Sequence, residues 1–153
     1  MNALTNLFTH DCIALDVPAK SRADAFAAAG ELFSKLTDID ANSVVEFLNA
    51  REDLGSTALG AGVAIPHGRV KGLKQPSAAF MRLQNPIEFA APDGEPVSIL
   101  IFLLAPEKAT QQHLEILSSM AQLLSDTDTR QTLLTFSDPV KVCELLQRFG
   151  TTK

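Results

Sequence analysis

Val97-Ser98-Ile99-Leu100-Ile101-Phe102-Leu103-Leu104 is apolar at every position but one. A strand with one face in water alternates apolar and polar residues. A run without alternation reads as a central strand covered on both faces, and this segment is the expected spine of a sheet. Upstream of it, residues 57–65 read as one or two strands and Ser77 to Leu83 as another. Ile87-Glu88-Phe89 with the turn Pro92-Asp93-Gly94 reads as a hairpin leading into the spine. A further short strand signal lies at Cys12-Ile13-Ala14-Leu15-Asp16.

Helical spacing accounts for most of the rest. Ser21 opens an alanine-rich helix with Phe26, Gly30 and Phe33 on one face. A second helix begins near Asn42, with Val44, Val45 and Leu48 as its apolar stripe and Arg51 and Glu52 in its last turn, before the break at Gly55. Beyond the spine come Pro106 and a polar loop. A helix then runs from about Thr110 to Leu124, with Leu114, Leu117, Ala121 and Leu124 facing inward and His113 in its first turn. Two more helices follow, the last opened by Asp138-Pro139 as N-cap and first helical residue and stopping at Gly150. The hairpin must be antiparallel, whereas helical crossovers favour parallel pairs. The expected fold is therefore α/β, a mixed central sheet flanked by helices. The 153 residues show no internal repeat or linker and read as a single domain over 1–153.

Composition excludes several classes of function. Hydrophobic residues make up 46% and charged residues 20%, with nine Phe and no Trp or Tyr, which is the make-up of a soluble globular protein. A formal charge of -5 argues against nucleic acid and anionic lipid as partners. No segment has the length and apolarity of a membrane span and the start of the chain lacks a secretory pattern, so no membrane insertion and a cytoplasmic location are expected. Cys12 and Cys143 are far apart in sequence and form neither a zinc knuckle nor a redox pair; both read as small buried hydrophobes.

The chemistry concentrates in Leu59-Gly60-Ala61-Gly62-Val63-Ala64-Ile65-Pro66-His67-Gly68-Arg69. Pro66 fixes φ just before an imidazole, and Gly68 allows the backbone to turn or to approach a ligand closely. Such a loop suits a neutral histidine that donates one N–H to a backbone carbonyl and aims its other nitrogen outward as a nucleophile. These residues equally allow a histidine that merely ends a strand. Arg51 ends a helix one short loop earlier, and its planar fork suits two phosphoryl oxygens; the alternative is an exposed ion pair with a neighbouring acid. His113 lies where a helix N-terminus favours anions, after the carboxyl end of a central strand; the alternative is a half-buried helical histidine. His10, in a polar turn, reads as surface. The three histidines are too widely spaced for a metal site, and Gly60-x-Gly62 is completed into neither a dinucleotide nor a P-loop motif. No metal and no cofactor are expected.

Leu59-Gly60-x-Gly62-Val63-Ala64-Ile65-Pro66-His67-Gly68, preceded by Arg51-Glu52 and followed by Pro86-Ile87-x-Phe89-x-Ala91-x-Asp93-x-x-Pro96-Val97 and Leu104-x-Pro106, resembles the enzyme IIA proteins of the bacterial phosphoenolpyruvate-dependent phosphotransferase system. The branch is that of fructose, mannitol and nitrogen regulation, and the Pro86-to-Val97 pattern with the isolated length is most similar to the nitrogen-regulatory type. The resemblance implies that His67 is the phosphorylated histidine, His113 the second active-site histidine and Arg51 the phosphate-binding arginine. It implies a phosphocarrier rather than a turnover enzyme. The donor would be a small phosphocarrier protein of the HPr or NPr kind, and the readers would be regulatory target proteins, such as those of nitrogen or potassium homeostasis. Two rival readings are a IIA subunit serving a fructose- or mannitol-type sugar permease and, more remotely, a phosphohistidine hydrolase with Glu52 as its acid. In each, docking must exclude water from the transfer, so an apolar rim is expected around His67, with Phe80, Met81 or Phe89 as candidates.

Overall fold

The computed structural model of the chain describes residues 7–108 and 111–148. One 3-10 turn, His10–Cys12, leads into strand β1 (Ile13–Val17), followed by helices α1 (Arg22–Leu36) and α2 (Ala41–Glu52). Strands β2 (Ala58–Gly60), β3 (Val63–Ala64), β4 (His67–Val70), β5 (Ser77–Ile87) and β6 (Val97–Pro106) come next, then helices α3 (Gln111–Ser125), α4 (Thr127–Thr135) and α5 (Pro139–Arg148). The strands form one sheet in the order β1-β5-β6-β3-β2, with β4 also paired to β6.

The sheet is mixed, as the hairpin and the crossovers require. β6 runs antiparallel to β5 but parallel to β3 and β4, and β1 is parallel to β5. Every residue of β6 from Ile99 to Ala105 is at most 1% exposed. Successive side chains of a strand point to opposite faces, so both faces of the sheet are covered here and β6 is its spine. On one face Phe26 and Phe33 of α1 meet Phe102 edge to face, at centroid distances of 6.0 and 6.5 Å.

Local chemistry sets the helix starts. The Ser21 hydroxyl accepts the Asp24 N–H at 3.1 Å, and the Asp40 carboxylate accepts that of Ser43 at 3.3 Å, so α2 is capped two residues before Asn42. Asp138 Oδ1 accepts the Val140 N–H at 3.0 Å, placing Pro139 at the first position of α5. The expected stop at Gly150 and start at Thr110 lie outside the described residues, as does the side chain of His10. Cys12 falls in the turn before β1 rather than in the strand; it and Cys143 are buried free thiols, with burial pushing both upward in pKa.

Three expectations are corrected. Ile87 closes β5, pairing with Val97 across an irregularity, and does not begin a separate strand. Leu114 is 58% exposed, although Leu124 is buried and Leu117 and Ala121 pack partly against the core as expected, because α3 centres its inward face on His113, Ile116, Met120 and Leu123. That phase, one residue removed from the leucine stripe, brings His113 toward the sheet. Finally, His67 does not sit in a loop: it opens β4, which the proline before it disguised.

Candidate functional site

β3 and β4 lie along β6 as a single strand broken at Ile65-Pro66. Val63 and Ala64 pair with Ile99 and Leu100, and His67 to Val70 pair with Leu103 to Pro106. At the break the Ile65 N–H turns away to the Thr57 carbonyl at 3.1 Å. Pro66 has no N–H to give, and its carbonyl accepts the Leu103 N–H at 3.0 Å. The Ile65 carbonyl is thereby freed from the ladder and meets His67 Nδ1 at 2.8 Å. A carbonyl oxygen only accepts, so the bond assigns the ring proton to Nδ1 and leaves Nε2 with its lone pair.

The glycines act through the backbone rather than through a ligand. Gly60, Ala61 and Gly62 take φ values of 91°, 56° and 80°, a left-handed turn from β2 to β3 that Asp93 Oδ2 braces by accepting the Ala61 N–H at 2.9 Å. At Gly68 a Cβ would stand 2.9 Å from the Phe47 carbonyl oxygen, so this glycine lets α2 close onto β4. That contact carries the last turn of α2 to the histidine. The turn is anchored by Glu52, 4% exposed, whose two carboxylate oxygens accept the Thr57 N–H at 2.8 Å and hydroxyl at 2.7 Å. With both oxygens bound to Thr57, the Glu52 carboxylate is a brace rather than a poised acid.

Arg51 stands beside His67 and lines the two cavities that flank it, of about 440 and 330 Å³. Its Nη1 donates to the Gly55 carbonyl at 2.9 Å, and it joins neither ion pair found among the described residues, where Asp53 pairs with Arg22 instead. The larger cavity also receives His113, whose ring centroid is 5.9 Å from that of His67. His113 is 7% exposed, and its Nδ1 has no hydrogen-bond partner among the described residues. Thus the three residues singled out in the sequence converge. Arg69, which sequence reasoning passed over, lines the same cavity. The missing signal was β4 itself: in a strand, positions 67 and 69 share a face.

Burial lowers the pKa of His67, the Ile65 bond raises it, the Arg51 guanidinium lowers it and Glu52 raises it, for a net downward shift. His113 is lowered by burial, then by His67 and Arg69. Both rings are held neutral at neutral pH, the form in which an imidazole nitrogen is a nucleophile. The apolar rim is not the one expected: Phe80, Met81 and Phe89 are buried in the core at 0 to 2% exposure. Phe47, Leu54, Leu59 and Leu117 surround the site instead. Among the described residues no group of three or more His, Cys, Asp or Glu could hold a metal ion, and no helix is long and apolar enough to cross a membrane.

β4 thus presents a neutral imidazole to a second imidazole and an arginine, on a fold shared with the IIA class of proteins. Residues 6–149 match the family described as phosphoenolpyruvate-dependent sugar phosphotransferase system, EIIA 2, and the chain belongs to it. It is 40% identical over 134 residues to a nitrogen regulatory protein of Pseudomonas aeruginosa, covering 87% of each chain. The nitrogen regulatory protein IIA-Ntr of Neisseria meningitidis superposes with a TM-score of 0.89 at 44% identity, covering 93% of this chain and 97% of that one. The mannitol IIA protein of Escherichia coli shares the fold, with a TM-score of 0.75 at 24% identity over 91% of this chain and 98% of that one. The branch that this chain resembles is the nitrogen-regulatory one.

Proposed function

We propose that His67 Nε2 accepts a phosphoryl group from the phosphohistidine of a small carrier protein of the HPr or NPr kind, and that the loaded and unloaded forms signal to regulatory proteins in the cytoplasm. The observation that carries this reading is the 2.8 Å bond from His67 Nδ1 to the Ile65 carbonyl, which fixes the tautomer and turns the free nitrogen to the cavity shared with Arg51 and His113. In the transfer the lone pair of Nε2 forms the new P–N bond as the donor's P–N bond breaks, its electron pair leaving with the donor nitrogen. The positive charge gained by the His67 ring is eased by the Nδ1–H bond to Ile65. Arg51 supplies charge to the equatorial oxygens, so catalysis is positioning plus neutralisation. The leucine rim meets the donor and keeps water from a labile bond.

Incubation with phosphoenolpyruvate, enzyme I and a phosphocarrier protein is expected to add one acid-labile, base-stable phosphoryl group, read by intact mass before and after acid treatment. The adduct disappears in His67→Ala; an adduct that persists in this variant overturns the assignment.

A further inference from the structure

A phosphoryl group brings a charge of about -1.5 to -2. His67 and His113 are both held neutral, so Arg51 alone leaves much of that charge unbalanced in a half-buried site. Among the described residues lining the two cavities, one other is cationic: Arg69. The burial of β4 alternates, with Gly68 and Val70 buried and Arg69 exposed, so the side chains of His67 and Arg69 leave the strand on the same face. Among the described residues Arg69 belongs to neither ion pair, and its charge acts on His113, whose buried Nδ1 has no hydrogen-bond partner among them. Two guanidiniums thus reach one cavity from different elements, Arg51 from α2 and Arg69 from β4.

We propose that Arg69 is a second phosphoryl-binding guanidinium, taking equatorial oxygens of the group on His67 from the β4 side while Arg51 takes them from the α2 side. This rests on His67 being the acceptor. It gives Arg69 a role distinct from docking, because the contact is to the phosphoryl group itself.

A small donor separates the two roles. Phosphoramidate transfers its phosphoryl group directly, the P–N bond breaking as Nε2 bonds to phosphorus and the nitrogen leaving as ammonia. We expect Arg69→Gln to slow loading of His67 roughly tenfold with phosphoramidate and with the carrier protein alike, less than the 10²-fold or more common for a preorganised donor in a dry site, because Arg69 is exposed to water. Arg69→Lys, which keeps the charge but not the fork, is expected to recover part of the rate. Equal rates for Arg69→Gln and the parent overturn the proposal, and so does a slowing confined to the carrier protein, which makes Arg69 a docking residue. A parent chain that takes no phosphoryl group on His67 from either donor overturns the acceptor reading instead, so the two failures are distinguishable.

Discussion

The Ile65 carbonyl keeps one proton on His67 Nδ1, while burial and the Arg51 guanidinium discourage a second. The proposed nucleophile is the neutral ring. With its pKa below the ordinary 6.5, the neutral form predominates at neutral pH and gives way to the protonated one on the acid side. Loading is therefore expected to be flat through neutrality and to decline on the acid side. Arg51→Gln removes a positive charge that opposes protonation, so the His67 pKa should rise and the acid limb should move to higher pH. Loss of the guanidinium should also slow loading at neutral pH by roughly 10²-fold. NMR titration of the ring protons, beside pH–rate profiles, checks both; an unmoved pKa would mean that the arginine does not act on the ring. At this scale the sequence was informative about placement: Arg51, His67 and His113, each singled out with its alternative left open, line one cavity. Arg69 was illegible only because the strand that aims it was.

Elements whose apolar pattern was continuous were read correctly: β6, and α1 with Phe26, Gly30 and Phe33 buried on one face. Those decided by backbone contacts were not. β4 is four residues long, follows a proline and alternates only once a helix lies above it, so no local signal separates it from a loop. In α3 the leucines suggested one phase, but Leu114 lies outside while His113 takes the inward place, because a polar site and not the core occupies that end of the helix. The α2–β4 contact is the corresponding tertiary fact. A Cβ at position 68 would meet the Phe47 carbonyl at 2.9 Å and its carbon at 3.2 Å, backbone atoms that cannot swing aside. Gly68→Ala should thus destabilise the fold by about 1–3 kcal/mol, the usual range for overpacking. It should also lift Arg51 from His67, so that the His67 pKa rises. Urea unfolding and the same ring titration measure the two effects; a variant as stable as the parent would show that α2 is not seated this closely.

For the whole molecule, the site's neutral histidines become a pH dependence of folding. His67 and His113 have folded pKa values below their ordinary 6.5, so on acidification the unfolded chain takes up protons before the folded one does. Their contribution is complete above about 6.5 and is lost as the pH falls through the folded values. Asp40, Asp93 and Asp126 are likewise lowered, from 3.8, chiefly by hydrogen bonds from Ser43, Ala61 and Thr129, so their contribution is lost only in a separate, more acidic window. Cys12 and Cys143 act oppositely: burial raises them above 9.0, and stability is lost as the pH climbs past that value, where the unfolded thiols ionise first. The expected profile is a dome with two steps on its acid side. The upper step belongs to the paired histidines and the lower to helix caps and the β2–β3 turn. Urea midpoints measured across this range should show the upper step vanish in His67→Gln/His113→Gln while the lower one remains. A double variant that retains the upper step would place its protons elsewhere, and the site's histidines would then not be the groups that burial keeps neutral.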